Sequence, residues 1–169
     1  MLLPNSSKES ALLRPGDILS HAEMCMAEVK SLQQGMNFRS EKPYSVILAC
    51  QRKNAPYPDR MSEDGKTLFY VGHDAYGAPD KLMVDQPLST PVGSLTQNGR
   101  FFVAAEGVRQ GRQRELVRVY EKLGTGVWVF NGLFDLRDAR MEVAKIPAEI
   151  AGRAGILPAP SERKVCVFE

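Results

Sequence analysis

The chain has 169 residues, of which 43% are hydrophobic and 25% are charged, and its formal net charge is +2. This is the length of one domain with a buried core, and the composition is typical of a globular protein rather than a disordered one. There is no run of about 18 apolar residues and no basic-then-apolar N-terminus, which argues against a membrane span and a signal peptide, so we expect a cytoplasmic protein with no membrane partner.

Net charge and cysteine content further restrict the kinds of binding site and structural framework that the chain can contain. Because the net charge is close to zero, any surface that binds nucleic acid must be local. Cys25, Cys50 and Cys166 lie far apart in the chain. This spacing argues against a disulfide framework and against a thiolate zinc site, and it suits a reducing compartment.

In the first third of the chain, turn residues separate short periodic segments. Residues 1–14 are predicted to be a lead-in segment, and the domain is predicted to span residues 15–169. Pro15-Gly16-Asp17 predicts a turn before a short strand at Ile18-Leu19. A weak helical pattern runs from His21 to Gln33 and is ended by Gly35. The stretch YSVILAC, Tyr44 to Cys50, predicts a buried strand.

The rest of the chain alternates loops with short strands and one further helix. Gln51 to Gly65 and Tyr76 to Gly93 are polar and proline-rich, and are predicted to be loops. Thr96 to Val108 predicts a helix whose apolar side consists of Phe101, Phe102, Ala105 and Val108. Alternating or apolar runs predict strands at Thr67 to Val71, Leu116 to Tyr120 and Arg163 to Phe168.

The stretch VWVFNGLFDL, Val127 to Leu136, carries Asn131-Gly132 between strand-forming residues. Asn-Gly is a strong hairpin signal, but a turn here would leave short flanking strands. A glycine inside a strand can instead mark a bulge, or the close approach of a ligand or another backbone. The residues alone leave both interpretations open.

The sequence offers no catalytic constellation. His21 and His73 are its only histidines, too few for a histidine-based triad, an HNH-type nuclease or a zinc site. No Gly-rich phosphate-binding loop is present. The acidic pair Glu63-Asp64 lies in a polar loop, where a solvated turn is the usual role. We therefore assign the chain no catalytic residue, no metal and no cofactor.

Several short strands with few helices predict an α+β fold built on a small curved sheet or barrel. Motifs in order along the chain also carry a resemblance. They are the Pro15-Gly16-Asp17 turn, the Gly35-Met36 pair after VKSLQQ, the block YSVILACQRKNAPYPDRMSEDGKTLFYVGHDAY, Asp85-Gln86 with QNGRFF, ELVRVY, FNGLF and RKVCVFE. Together they resemble the SRA (YDG) domain, a PUA-like module that reads modified cytosine in DNA. The wording of the central block is most similar to SRA-like domains that precede HNH endonucleases in bacterial modification-dependent restriction enzymes.

The resemblance covers Pro15 to Glu169 and implies a PUA-like/SRA curved β-barrel with a few flanking helices. It also implies that FNGLF lies in one continuous core strand, which favours the kink over the hairpin. The implied partner is double-stranded DNA carrying modified cytosine, 5-methylcytosine above all. Two departures stand out: Phe130-Asn131 replaces Tyr-Asp, and Asp74 to Val84 is shorter than the loop with which eukaryotic members probe the opposite strand.

The resemblance implies a pocket that encloses a base flipped out of the duplex, because enclosure of the whole base requires it to leave the stack. The matching residues are Tyr57, Asp59, Tyr70, Val71, Gly72 and His73. Tyr57 and Tyr70 would stack on the base, and the last three would line the methyl side. Asp59, or alternatively Glu63 or Asp64, would accept from the exocyclic amine. Tyr70 could equally be an ordinary strand aromatic, and His73 a cap.

Basic residues are expected to hold the phosphates. One cluster lies around the pocket loop at Arg52, Lys53 and Arg60, and another comprises Arg109, Arg112 and Arg114. The loop that begins at Lys30 matches the DNA-probing loop, and its Leu32, Gln33 and Gln34 would fill the space left by the flipped base.

Other interpretations stay open at this stage. A PUA- or ASCH-like RNA-binding module would share the barrel without the tyrosine and aspartate pocket. An interaction domain would show no nucleic-acid affinity, and a small-molecule hydrolase would need an activated nucleophile that is not visible. The resemblance further implies a nuclease domain beyond Glu169 in a longer parent protein, which could form a homodimer through that domain.

Overall fold

A computed structural model describes residues 12–51, 59–77, 80–151 and 160–169. Its described residues form two sheets with short helices beside them. The first sheet has the strand order β1-β7-β6-β3-β2. These strands are β1 (Ile18–Ser20), β2 (Met36–Asn37), β3 (Ser45–Ala49), β6 (Leu116–Gly124) and β7 (Val127–Asp135). Strands β3 and β6 run parallel, with Ser45 opposite Val117 and Ala49 opposite Glu121.

The second sheet has the order β4-β5-β9-β8. Its strands are β4 (Arg60–Met61), β5 (Leu68–Val71), β8 (Ala139–Lys145) and β9 (Glu162–Phe168). All three of its pairings are antiparallel. The register places Tyr70 of β5 opposite Phe168 of β9, and Val71 opposite Val167.

The helices are α1 (His21–Glu28), α2 (Gln97–Arg109) and α3 (Ala148–Ala151), with a 3-10 turn at Lys81–Met83. Helix α1 begins at a capping box, in which the Ser20 side chain accepts from the Glu23 N–H and the Glu23 carboxylate accepts from the Ser20 N–H. It ends at Glu28, and the C-cap residue Val29 has a left-handed φ of 51°. The helix therefore stops five residues before Gln33, the end of the predicted helical pattern.

Two apolar clusters lie on opposite faces of β3, because successive strand residues point to opposite sides. Ile47 and Ala49 belong to a cluster that also contains Phe101 of α2 and residues of the second sheet. Val46 and Leu48 face a cluster under α1. This two-sided burial explains why all five residues of β3 are buried, as its continuous apolar run predicts.

The α+β class is confirmed, but the two sheets are not closed into a barrel. They pack face to face through the cluster around Phe101, and within the described residues no strand pairing joins their edges. Closure requires paired strands all round. Two of the edge strands, β2 and β4, are only two residues long, too short to extend a ladder to the other sheet.

The segment Val127 to Asp135 is one strand, as the kink interpretation predicts. Val119 pairs with Gly132 and Tyr120 pairs with Phe130, so Asn131 is an extra residue in a β-bulge. Gly132 has a φ of 116°. The approaching group is Pro15, whose Cγ would lie 3.3 Å from a Cβ at Gly132. The Pro15-Gly16-Asp17 turn is thus the backbone that comes close.

Several boundaries differ from the sequence predictions. Strand β4 lies inside the predicted loop Gln51 to Gly65, and strand β8 was not predicted. The edge strand β8 reads ARMEVAK and leaves Glu142 and Val143 exposed, so it lacks a clean apolar alternation. Most of the predicted lead-in, and Tyr57, Arg52 and Lys53, lie outside the described residues.

A buried charged group ties α1 to the first sheet. Glu28 pairs with Arg39 and with Arg118, each at 2.9 Å, and accepts from the Tyr120 hydroxyl at 2.6 Å. Glu28 and Arg39 are buried. Burial, followed by the Glu28 carboxylate, raises the pKa of Tyr120. These contacts fix the start of the segment that leads from α1 to β2.

Candidate functional site

A cleft of about 540 Å³ opens where β3 and β5 end. Of the six residues predicted for the pocket, five line it: Asp59, Tyr70, Val71, Gly72 and His73. Among the described residues, the rest of the wall consists of Gly35, Leu48, Cys50, the stretch from Asp74 to Gly77, and Lys81. The fold therefore brings predicted residues from two separate chain segments, Asp59 and Tyr70 to His73, to the same cleft.

Asp59 is the buried acid of this cleft. Its Oδ2 accepts from the Cys50 N–H at 2.7 Å, and its Oδ1 accepts from the Val71 N–H at 3.1 Å. The residue is 8% exposed. Since a carboxylate oxygen has two acceptor positions, each oxygen retains one when only the described residues are counted. The ends of two strands thus hold the carboxylate in a fixed orientation.

Burial raises the pKa of Asp59 to about 6, while the N–H groups of Cys50 and Val71 pull it down and the charge of Glu121 adds to the rise. The carboxyl is therefore charged at neutral pH but close to titration. The other two acids considered from sequence, Glu63 and Asp64, are exposed. Asp64 accepts from Ser62 and from the Lys66 N–H in a turn, so Asp59 is the acid placed in the cleft.

Side chains behind the cleft fix the main chain of its wall. Gln86 donates to the Gly72 carbonyl at 2.6 Å and accepts from the Cys166 N–H at 2.8 Å. Asn98 donates to the His73 carbonyl and accepts from the His73 N–H, both at 2.8 Å. These are the Gln and Asn of the DQ and QNGRFF motifs. Their role is to satisfy the backbone of the wall, which leaves that wall free to contact an apolar group.

The segment after α1 is joined to the cleft. The Met36 N–H donates to His73 Nε2 at 2.9 Å, and the Gly35 carbonyl accepts from the Leu48 N–H at 2.7 Å. Burial lowers the pKa of His73, which favours the neutral ring that this acceptor role needs. A Cβ at Gly35 would collide with the Tyr70 hydroxyl. Glycine is therefore required where the segment meets the cleft.

Leu32 does not lie where a residue that fills the space left by a flipped base would have to lie. Its side chain is fully buried in the cluster under α1, with Met24 and Trp128, so in this structure it does not face DNA. The helix ends at Glu28, and the chain turns back to bury Leu32. Lys30, Gln33 and Gln34 are exposed, and Gln34 directly precedes Gly35, which lines the cleft. Their contact with DNA stays a prediction.

The arginines predicted to contact phosphates differ in their neighbours and ion-pair partners. Arg60 is exposed, with its guanidinium 4.8 Å above the Phe69 ring. Arg109 pairs with Asp138, and Arg114 with Asp135 at 3.0 Å. Arg112 is exposed and has no ion-pair partner among the residues that the structure describes.

The segment that carries Arg112 and Arg114 lies away from the cleft. It precedes β6, and Glu115 accepts from the Ser45 hydroxyl at 2.6 Å. Ser45 is the first residue of β3, whereas the cleft is lined by Leu48 and Cys50 at the other end. The separation along the strand is about 15 Å. Any phosphate that these arginines contact would be remote from a base in the cleft.

The cleft residues that were not predicted as pocket members include Gly35, Asp74, Tyr76 and Lys81. Asp74 pairs with Arg163 at 2.8 Å, and both side chains are buried. Gly35 belongs to the Gly35-Met36 motif, but its contact with Tyr70 depends on tertiary packing. The other three lie in a segment that the sequence marks only as a polar loop.

Within the described ranges, no group of three or more His, Cys, Asp or Glu side chains is placed to hold a metal ion. Among the same residues, no helix has the length and apolar character needed to cross a membrane.

No protein-family model and no curated protein matches the chain in sequence. Solved structures match it in fold. The SUVH5 SRA domain, in complex with hemimethylated CG DNA, superposes with a TM-score of 0.56 at 17% identity, covering 92% of this chain and 85% of that one. The modification-dependent TagI restriction endonuclease gives 0.55 at 20% identity, covering 95% of this chain and 50% of that one.

KRYPTONITE, in complex with mCHH DNA, gives a TM-score of 0.50 at 15% identity, covering 90% of this chain and 31% of that one. The chain thus spans half of the TagI chain and about a third of the KRYPTONITE chain. At these identities the likeness concerns the fold. The chain has the fold of an SRA domain, as its motifs predict.

Proposed function

We propose that this chain binds duplex DNA carrying 5-modified cytosine, 5-methylcytosine above all, and that the modified base is flipped into the cleft at Asp59. The observation that carries the proposal is the buried Asp59 carboxylate, which two backbone N–H groups hold and which keeps one acceptor position on each oxygen with respect to the described residues. An amine donor is the natural partner of such a group.

Cytosine supplies that donor at its N4 amine, whereas thymine presents a carbonyl oxygen at the same position. A carboxylate accepts from the amine and repels the carbonyl. The cleft therefore suits 5-methylcytosine over thymine, although both bases carry the same methyl group. Discrimination of this kind requires the base edge to reach Asp59, which lines the cleft and is 8% exposed; we expect a base that has left the stack to reach it.

The remaining wall suits the 5-substituent. Val71 contributes an apolar side chain, and the backbone groups of Gly72 and His73 are already bonded to Gln86, Asn98 and Cys166. A methyl group packed against satisfied polar groups leaves none of them unpaired. This arrangement favours a modified base over bare cytosine through the apolar area that the methyl group buries.

The test is a binding panel on one duplex whose target position carries cytosine, 5-methylcytosine, 5-hydroxymethylcytosine, glucosylated hydroxymethylcytosine or thymine. We expect 5-methylcytosine to bind most tightly. Asp59→Ala should lower its affinity by about tenfold or more, because a buried amine is left without its charged acceptor. Asp64→Ala removes an exposed acid from the neighbouring turn and serves as the matched control, with unchanged affinity.

Equal affinity of the wild type for modified and unmodified duplexes would contradict the proposal. Tighter binding to RNA than to the methylated duplex would instead favour an RNA-binding module. The similarity to half of the TagI chain supports a second element of the proposal: this module directs a restriction endonuclease whose HNH-type nuclease lies elsewhere in a longer protein.

A further inference from the structure

Tyr76 is fully exposed at the mouth of the cleft. Several large apolar side chains of this chain are exposed, but Tyr76 is the one that lines the cleft within the described ranges. An aromatic ring left wholly in water gains nothing from burial in the free protein. Its position beside a site for a base therefore calls for a partner that covers it.

The segment that presents Tyr76 is held firmly on its N-terminal side. Asp74 is fixed by the buried ion pair with Arg163, and His73 is bonded through both backbone groups to Asn98. On the other side, Gly77 has a φ of 75°, a left-handed conformation that bends the chain and favours glycine. The ring is thus displayed at a turn whose base is anchored to the core.

We propose that Tyr76 is the aromatic wedge that stacks in the gap left when the modified base enters the cleft. This inference rests on the proposed function and assigns the role that Leu32 cannot fill from its buried position. The gap has the thickness of one base step, roughly 3.4 Å, which a single aromatic ring matches. Gln33 and Gln34, exposed in the segment that precedes Gly35 of the cleft, remain available for polar contacts with the orphaned base.

The chemistry favours Tyr76 over these glutamines as the stacking group. Stacking of an aromatic side chain on bases is favourable whatever the sequence, because every base has a π-face. It offsets part of the unstacking cost that flipping imposes on a duplex. A single strand has no stack to break or refill. The contribution of a wedge should therefore appear in duplex DNA and vanish in single-stranded DNA.

The experiment compares the wild type, Tyr76→Ala, Tyr76→Phe and Val92→Ala on a duplex and on a single strand that carry the same 5-methylcytosine, and on the same duplex without the modification. Val92 is an equally exposed apolar residue outside the cleft. We expect Tyr76→Ala to weaken duplex binding by about tenfold and single-strand binding by less than about twofold. Tyr76→Phe and Val92→Ala should match the wild type on both.

An equal loss on duplex and single strand would overturn the wedge, because Tyr76 would then act as part of the pocket wall. Unchanged duplex binding by Tyr76→Ala would also overturn it. If the wild type itself shows no preference for the methylated duplex over the unmodified one, the proposed function fails instead. The two failures are therefore distinguishable in one set of titrations.

Discussion

At the scale of single residues, burial and hydrogen bonding act on Asp59 in opposite directions. Desolvation raises its pKa and the N–H groups of Cys50 and Val71 lower it, with a result near 6. A surface aspartate would stay near its ordinary value of about 3.9. The folded protein therefore holds a proton on Asp59 over a pH range in which the unfolded chain has released it.

We expect this residue to make stability depend on pH. The proton on folded Asp59 contributes stability that is fully present below about pH 4 and is lost as the pH rises to about 6. The free energy of unfolding of the wild type, relative to Asp59→Asn, should fall by about 3 kcal/mol over that range and then level off. Denaturant titrations of both proteins from pH 4 to pH 7 measure it. A relative stability that rises with pH would mean that the pKa of Asp59 is lowered by folding.

At the scale of elements, the segment from Lys30 to Gly35 combines a buried anchor with an exposed tip. Leu32 packs under α1, and His21 Nε2 lies 2.8 Å from its carbonyl oxygen. Gln33 and Gln34 are exposed. A short run such as KSLQQ gives no periodicity from which to tell the inward residue from the outward ones.

Substitutions in this segment should separate folding from binding. Leu32→Ala should lower the free energy of unfolding by about 2–5 kcal/mol, as large-to-small changes in a core do. Gln33→Ala should change it by less than about 0.5 kcal/mol while weakening binding to the methylated duplex. Thermal unfolding and duplex titration of both variants provide the comparison. A stable Leu32→Ala protein with lost DNA affinity would restore Leu32 as the probing residue.

The bulge in β7 makes a second element-scale prediction. Gly132 has a φ of 116° and Pro15 packs against it, so Gly132→Ala should cost roughly 1–3 kcal/mol through backbone strain. Gly124, at the end of β6, has open space around it, and Gly124→Ala should change stability by less than about 0.5 kcal/mol. Chemical denaturation of the Gly132→Ala and Gly124→Ala variants measures both changes in stability. Similar effects of the two substitutions would argue against strain at the bulge.

The helices and strands that could be predicted are those with a strong local pattern of apolar residues. The apolar run of β3 and the apolar side of α2 are explicit in the sequence, and both elements form within a residue of where they were predicted. The edge strand β8 and the two-residue strand β4 exist only because partners are present. The same holds for the site: motif resemblance located Asp59 and the wall from Tyr70 to His73, whereas the burial of Leu32 and the exposure of Tyr76 arise from tertiary packing.

At the scale of the whole molecule, a net charge of +2 leaves DNA affinity to local patches. Part of the basic content is neutralised within the fold, since Arg39, Arg118 and Arg163 pair with buried acids. Exposed cations remain in two regions: Arg60, which follows Asp59 of the cleft, and Arg112, whose segment contacts the start of β3 through Glu115. A duplex that enters the cleft could contact both regions.

Binding should therefore weaken steeply with salt, because each neutralised phosphate releases counterions. Arg112→Ala should weaken modified and unmodified duplexes by similar factors and reduce the slope of log K against log salt by about one. Titrations at several salt concentrations give both quantities. A change in the preference between the two duplexes would contradict the assignment of Arg112 as a phosphate contact remote from the base.

The central claim is that the modified base leaves the stack and enters the cleft at Asp59. The most direct measurement places 2-aminopurine next to 5-methylcytosine in a duplex and follows its fluorescence on binding, since this base brightens when a neighbour unstacks. We predict a rise with the wild type on the methylated duplex, and little or none with Asp59→Ala or on the unmodified duplex. Tight and selective binding of the wild type to the methylated duplex without any rise would contradict the claim.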